Sequence, residues 1–268
     1  MIAGSPMSRF PKNDLSFMLN PNHRDADWDG TYIHDLPFSH LGDTYGITFE
    51  AKGTGTFSSG GGAGGHGISF DGTDGCFFLF DGSDARLAQV GSPQVATEMH
   101  WVRFETWGTD NPSASPGFGT NAYSWSQTNN GLGVWNMDYS TGVYKDGIGI
   151  GKMVTSSWTE ISLNHEGETF DKPADGGGDI LEKWWCVLFR FGGGANVDAF
   201  LDGVAITMDN ARDIGNWGQL TDARLGDGPD GHLEGQLGFF CRWDRRITDA
   251  ECKLAFDATK GYFGKQYP

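Results

Sequence analysis

The segment that decides the fold is KWWCVLFRFGGGANVDAFLDGVAI, residues 183–206. A run of aromatic and aliphatic residues is followed by a Gly-rich turn, and a second apolar run ends at Asp202-Gly203. Asp-Gly between two apolar runs is a strong signal for a two-residue hairpin, because Gly tolerates the positive φ that such a turn requires. The segment therefore predicts consecutive antiparallel strands joined by tight turns.

Similar short apolar runs, separated by Gly and Asp, continue on both sides of this segment. The longest is ATEMHWVRFETWG, residues 96–108. Because side chains alternate along a strand, it presents two sets of neighbours, Met99, Trp101 and Arg103 on one face and His100, Val102 and Phe104 on the other. With 42 glycines and 13% aromatic residues, the composition favours an all-β fold of many short strands.

One helix is predicted, near the C-terminal end. Thr248 precedes Glu251 by three residues, which is the spacing of a capping box, and the helix then runs toward Gly261. The expected architecture is an all-β, two-sheet antiparallel β-sandwich with one short C-terminal helix. Residues 1–45, which are polar and interrupted by prolines, are predicted to be an irregular arm containing one possible edge strand at 15–19. Residues 46–268 form the sandwich.

The charge balance excludes two classes of partner. The formal net charge is −16 and the pI is about 4.6, so nucleic acid and anionic membranes are not expected partners. The N-terminus lacks the basic and apolar stretches of a signal peptide, and we expect synthesis in a cytoplasm. The sequence contains no CxxC pair, so a zinc site is not expected. We expect the cysteines in apolar runs (Cys76, Cys186 and Cys241) to be buried.

Three ordered segments resemble the laminin-G-like branch of the concanavalin A-like jelly roll. They are ISFDGTDGCFFLFDGS (68–83), residues 183–206, and RLGDGPDGHLEGQLGFFCRWDRRITDAECKLAF (224–256). The tail AFDATKGYFGKQY (255–267) is similar to the tails of laminin-G-like proteins from tailed bacteriophages. The resemblance implies a virion decoration, fibre or tail-associated protein, made in the host cytoplasm. Such a protein docks to other virion proteins, self-associates and adheres weakly to cell-surface or capsule glycans.

Aromatic residues crowd a Gly-, Asn- and Ser-rich region in the middle of the chain. Aromatic faces stack on the apolar faces of sugar rings, while amide and carboxylate groups bind hydroxyls. The alternative is that these residues fill the sandwich core. The predicted glycan-binding residues are Trp107, Tyr123, Trp125, Trp135 and Tyr139.

Clustered aspartates offer a second candidate site. Ca²⁺ prefers oxygen ligands on loops, but Asp is also a common turn residue, and we favour the turn interpretation. No cofactor is required by the sequence, and Ca²⁺ is the one ion that it suggests. The candidate ligands are Asp71, Asp74, Asp81 and Asp84.

No convincing catalytic set is present. Paired carboxylates of a glycosidase are not formed, because Glu98 and His100 share one strand face and Glu105 lies on the other. An alginate-lyase-like jelly roll is the main enzymatic alternative, since Arg103-Phe104-Glu105 and Tyr144-Lys145 imitate two of its motifs. The Q-x-H motif of those enzymes is missing, and the negative net charge of this chain would repel an acidic polysaccharide. We therefore predict a non-catalytic protein, with a lyase or a free-standing lectin as alternatives.

Overall fold

The computed structural model describes residues 6–19, 32–34, 48–52, 58–59, 67–71, 77–80, 95–105, 120–127, 130–137, 147–154, 157–161, 182–206, 222–225 and 234–264. Sixteen strands are present in these ranges. They are β1 (Leu15–Leu19), β2 (Tyr32–His34), β3 (Thr48–Lys52), β4 (Ser58–Ser59), β5 (Ile68–Asp71), β6 (Phe77–Phe80), β7 (Val95–Phe104), β8 (Thr120–Gln127), β9 (Asn130–Met137), β10 (Gly147–Val154), β11 (Ser157–Ile161), β12 (Trp184–Gly192), β13 (Ala195–Leu201), β14 (Val204–Ile206), β15 (Asp222–Leu225) and β16 (Glu234–Trp243).

Within the described ranges there is one α-helix, α1 (Asp249–Thr259), which follows β16. Short 3₁₀ helices lie at Pro6–Arg9 and Lys260–Phe263. Among the described residues, none of the helices has the length and apolar character needed to cross a bilayer.

The strands form two eight-stranded sheets. Sheet I has the order β14-β13-β12-β7-β16-β5-β4, and β1 also pairs with β16. Sheet II has the order β11-β10-β9-β8-β15-β6-β3-β2. The pairings are antiparallel, as in β16 with β7 and β10 with β9. The predicted all-β antiparallel sandwich with one short C-terminal helix is confirmed.

The hairpin predicted at Asp202-Gly203 is confirmed in detail. Both turn residues have positive φ, 49° at Asp202 and 79° at Gly203, as a type I′ turn requires. The backbone N–H of Cys186 donates to Asp202 Oδ1 at 3.0 Å, so the turn is tied back to β12. A Cβ at Gly203 would also lie 2.7 Å from Phe256 Cδ1 of α1, which leaves no room for a larger residue.

Strand β7 alternates as the sequence predicts, and both of its faces are enclosed. The outer face of sheet I, defined as the face covered by α1, carries Met99 and Trp101, each with 0% exposure. The opposite, inner face carries His100 and Val102, also with 0% exposure. Because sheet I is covered on both sides, the long apolar run of β12 needs no solvent-facing positions.

Helix α1 begins at the predicted capping box. Thr248 Oγ1 accepts from the Glu251 N–H, and the Glu251 carboxylate accepts from the Thr248 N–H. The buried face of α1 includes Cys252 and Ala255, and Trp101 Nε1 of β7 donates to Thr259 Oγ1 at 2.9 Å. The helix therefore packs against the sandwich, as expected.

The N-terminal segment corrects one expectation. Residues 6–19 do not form an irregular arm, because β1 pairs with β16 over Leu15–Leu19 and Phe10 is 3% exposed. The Phe10 ring stacks on Trp243 with centroids 5.5 Å apart, and Trp243 Nε1 donates to the Pro11 carbonyl at 2.9 Å. The physical reason is that this segment covers apolar residues of β16. The edge strand considered at 15–19 is confirmed.

The described cysteines, Cys186, Cys241 and Cys252, are buried and form no disulfide with one another, and the sequence predicts this burial for the first two. Burial raises the pKa of the Cys252 thiol to about 12, so this group stays protonated near neutral pH. Cys76 lies outside the described residues.

Candidate functional site

Strands β8 and β9 of sheet II bring two of the predicted sugar-binding positions together. Tyr123 pairs with Gly133, and Asn121 pairs with Trp135. Pairing partners share a face of the sheet, so Tyr123 and Trp135 occupy diagonal positions on one face. Two other predicted residues, Trp107 and Tyr139, lie outside the described residues.

The register separates Trp125 from this pair. An irregularity between Tyr123 and Ser126 inserts one residue into β8, after which Ser126 pairs with Gly131. Gly131 shares its face with Trp135, so strand alternation assigns Trp125 to the opposite face. No sequence signal reveals this bulge, since the alternation Tyr123, Trp125 predicts a shared face.

Glycines occupy many positions on the face of sheet II that contains Tyr123 and Trp135. Because β9 and β10 pair without irregularity, the shared face can be read directly from their register. We name it the glycine-aromatic face after its glycine and aromatic positions, which are Tyr123, Gly131, Gly133, Trp135, Gly147, Gly149, Gly151 and Trp158. The register also places Asn121, Ser126, Met137, Met153 and Glu160 on this face.

Trp158 was missed as a binding candidate by sequence reasoning. It belongs to β11, where it pairs with Met153, and Met153 pairs with Gly131 of β9. The residue is distant in sequence from the aromatic region around Tyr123, and only the strand order β11-β10-β9-β8 brings it to the same face. The signal that could have found it is the repeated Gly-x-Gly of β9 and β10, which predicts two neighbouring strands with one bare face.

The opposite face of the same strands is mixed, because Asn136, Lys152 and Thr159 share it with aliphatic residues. Its aliphatic positions include Leu132, Val134, Ile148, Ile150 and Ile161. Glycine inside a strand costs stability and often marks a place where a ligand or another backbone approaches closely.

Arg103 and Glu105 occupy the outer face of sheet I, at the end of β7. Arg103 Nη1 lies 3.7 Å from Glu105 Oε1, and the Glu105 side chain is 40% exposed. Gln236 of β16 pairs with Arg103 in the sheet, and its Nε2 donates to Glu105 Oε1 at 3.3 Å. Tyr144 and Lys145, the other residues of the lyase-like alternative, lie outside the described residues.

A second charged group is enclosed on the inner face of sheet I. Arg242 Nη1 donates to Glu98 Oε1 at 2.5 Å, and His100 Nε2 lies 3.3 Å from Glu98 Oε2. The Glu98 and Arg242 side chains are each 1% exposed, and that of His100 is 0% exposed. The rings of Phe189 and Phe240 flank His100. Because no solvent reaches these groups, they serve packing and register more readily than chemistry.

The Ca²⁺ hypothesis rests on residues that are mostly outside the description. Asp71 ends β5 and is exposed, whereas Asp74, Asp81 and Asp84 lie outside the described residues. Within the described ranges, no group of three or more His, Cys, Asp or Glu side chains is arranged to hold a metal ion.

Comparison with known proteins identifies the fold and no family. No family model matches the chain, and no curated protein matches it in sequence. Among solved structures, the sialidase of Trypanosoma rangeli in complex with sialic acid is similar with a TM-score of 0.57 and 10% identity over 95% of this chain. The binding domain of botulinum neurotoxin DC in complex with rat synaptotagmin II is similar with a TM-score of 0.60 and 11% identity over 92%.

The same toxin domain in complex with SialylT gives a TM-score of 0.59 and 13% identity over 92% of this chain. This chain spans 34% of the sialidase chain and 52% of the toxin chains. At these identities the similarity concerns the fold, a β-sandwich that supports many unrelated functions.

Proposed function

We propose that this chain is a non-catalytic carbohydrate-recognition domain on the surface of a bacteriophage particle. The observation that carries the proposal is the glycine-aromatic face, on which Tyr123, Trp135 and Trp158 flank five glycines of β9 and β10. Bare backbone between aromatic positions lets a flat ring approach the sheet closely.

The chemistry of this face suits a sugar. Aromatic side chains offer flat apolar surfaces for the C–H faces of sugar rings, and polar neighbours fix the hydroxyls. The register places Asn121, Ser126 and Glu160 on the same face. These three residues supply amide, hydroxyl and carboxylate groups without a basic residue, so we expect neutral sugars to be the preferred ligands of the glycine-aromatic face.

Two structural neighbours support carbohydrate in general as the ligand class by analogy, without supporting the preference for neutral sugars. One was solved with sialic acid and another with SialylT. Their identity to this chain is 10% and 13%. The analogy is therefore limited to the fact that a β-sandwich of this kind can bind a sugar, and it does not extend to particular residues.

The virion setting is supported by sequence. The C-terminal segment 255–267 resembles the tails of phage laminin-G-like proteins, and the net charge of −16 keeps such a protein away from nucleic acid. Docking to other virion proteins and self-association would present many copies of one weak site. Multivalent display raises overall binding strength without any new contact.

The proposal is tested by a glycan array probed with the purified protein, with Trp135→Ala and Tyr123→Ala, and with Tyr262→Ala as the control. Tyr262 is an exposed aromatic residue on the second 3₁₀ helix, outside the glycine-aromatic face. We expect the first two variants to lose about tenfold or more in affinity, since stacked aromatic residues commonly dominate binding. The control should bind as the parent protein does. Equal binding by all four proteins would refute the assignment of the face.

Particle assembly is tested separately by size-exclusion chromatography with light scattering. A defined oligomer supports the virion proposal, whereas a monomer that binds one sugar class tightly favours a free-standing lectin.

A lyase remains the second candidate function, because Arg103, Glu105 and Gln236 meet on one face. Unsaturated uronate absorbance after incubation with acidic polysaccharides would favour it.

A further inference from the structure

A polar row crosses three strands at one end of the outer face of sheet I. Arg103 of β7 pairs with Trp184 of β12 on one side and with Gln236 of β16 on the other. Glu105 follows two residues after Arg103 and therefore shares its face. This row is on a different sheet from the glycine-aromatic face, so it is a separate location.

Among the described residues, two hydrogen-bond donors in the row have no acceptor. Arg103 Nε and Trp184 Nε1 are both buried, and neither has a partner among the described residues. Trp184 is 7% exposed as a whole. A buried donor without an acceptor gives up its hydrogen bonds to water and gains none in the protein, which costs free energy. Such groups are rare in folded proteins. Two of them at directly paired positions indicate that an acceptor belongs there.

Glu105 does not fill this role. Its Oε1 lies 3.7 Å from Arg103 Nη1, beyond hydrogen-bond length, and the same oxygen accepts from Gln236 Nε2. Glu105 thus lies near Nη1 and leaves Arg103 Nε without a partner among the described residues. The Arg103 side chain is 18% exposed and that of Glu105 is 40% exposed. The row is consequently open to solvent at its rim and closed at Trp184.

We propose that Arg103 and Trp184 form a binding site for a carboxylate group. The Nε edge of a guanidinium binds the two oxygens of a carboxylate side by side, and the indole N–H supplies a further donor to one of them. Glu105 sets the charge that the site accepts. With Arg103 and Glu105 balanced, a monoanion leaves one excess negative charge, whereas a phosphate dianion leaves two.

The acceptor is therefore a monocarboxylate, such as the carboxyl group of a uronic acid. This inference adds a second site to the proposed sugar-binding function and does not depend on it, because no residue is shared between the two. It concerns binding alone and involves no bond cleavage.

The test follows the indole N–H signals by ¹H–¹⁵N NMR in the full-length protein. The signal that disappears in Trp184→Phe identifies Trp184, and Phe preserves an aromatic ring beside Phe263, whose centroid lies 4.7 Å from that of Trp184. We expect sodium glucuronate to shift this signal in a saturable manner. Glucose should leave it in place, and inorganic phosphate should bind more weakly. Sodium acetate shows which part of the ligand is recognised. Equal shifts with acetate and glucuronate would mean that the carboxylate alone is recognised, and a larger shift with glucuronate would mean that the sugar ring is recognised as well.

Two charge variants give opposite expectations. Arg103→Lys keeps the positive charge and removes the Nε edge, and should weaken glucuronate binding about tenfold or more. Glu105→Gln removes the neighbouring negative charge and should strengthen binding several-fold. Asp14→Asn changes the net charge by the same amount at the remote end of the sheet, beside Arg245, and should bind as the parent protein does.

The proposal is overturned if glucuronate leaves the Trp184 signal unmoved, or if Glu105→Gln and Asp14→Asn behave alike. If Trp135→Ala binds glycans as the parent protein does while glucuronate still shifts the Trp184 signal, the glycine-aromatic face fails and this site stands. If Trp135→Ala loses glycan binding while the Trp184 signal never moves, this site fails and the glycine-aromatic face stands.

Discussion

At position 98 a glutamate is enclosed on the inner face of sheet I together with Arg242 and His100. The pair Glu98–Arg242 joins strands β7 and β16 in register, opposite each other in the sheet. Two charges removed from water are costly, and their attraction offsets that cost only while both are present. The sequence showed that Glu98 and His100 share a face, and it could not show that an arginine 144 residues later meets them.

We predict that Glu98→Gln destabilises the protein by about 3–5 kcal/mol, because it leaves the Arg242 guanidinium buried without its counter-charge. Urea unfolding measures the change. Glu105→Gln, at a position directly after the same strand and with a side chain that is 40% exposed, should alter the free energy of unfolding by less than about 1 kcal/mol. If Glu98→Leu combined with Arg242→Met were as unstable as Glu98→Gln, the uncompensated charge would not be the cause.

At the scale of elements, α1 is attached to the sandwich at its N-terminus by charge as well as by packing. Arg245 forms two hydrogen bonds with the Glu251 carboxylate, at 2.9 and 2.6 Å. These bonds to Arg245 lower the pKa of Glu251 to about 2. The capping box was predictable from Thr248 and Glu251 alone, whereas the partnership with Arg245 depends on how β16 leads into the helix.

A pH dependence follows from the lowered pKa of Glu251. The ordinary value is 4.5, so the unfolded chain takes up this proton at a higher pH than the folded chain does. The stabilisation is complete above about pH 4.5 and is lost as the pH falls toward about 2. We predict that Glu251→Gln flattens this part of the stability profile in urea unfolding at a series of acidic pH values.

Arg245→Gln should flatten the same part of the profile, because it removes the other half of the pair. A profile in either variant as steep as that of the parent protein would contradict the assignment to Glu251.

The strands show which elements the sequence determines and which it does not. Residues 183–206 predict their own hairpins because Asp202 and Gly203 are local signals. The bulge in β8 and the position of Trp158 depend on pairing between distant segments. The sequence therefore predicted the region of the candidate sugar site, and the register places Tyr123 and Trp135 on one face. It grouped Trp125 with them because the bulge could not be predicted.

At the scale of the whole molecule, the N-terminal segment is part of the sandwich over residues 6–19. The sequence emphasised the prolines of this region, yet Phe10 fills a position beside Phe239 and Trp243. Proline content describes the local backbone and gives no information about a distant apolar surface that needs to be covered.

We predict that Phe10→Ala lowers the free energy of unfolding by about 3–5 kcal/mol, as expected when a buried aromatic ring is removed. Arg9→Ala, at an exposed position of the adjoining 3₁₀ helix, should change it by less than about 0.5 kcal/mol. Thermal or urea unfolding measures both. If neither substitution changed the free energy of unfolding, the segment would be an independent arm.

Strand β16 has one further consequence, for the order of events during synthesis. It pairs with β1, β5 and β7, all of which leave the ribosome long before residues 234–243 do. Until then, the three earlier strands have an unfilled gap between them, and their apolar residues remain exposed to other chains. Folding dominated by such distant pairings is slow and prone to aggregation. A nascent chain of this protein is therefore expected to rely on chaperones until β16 is made.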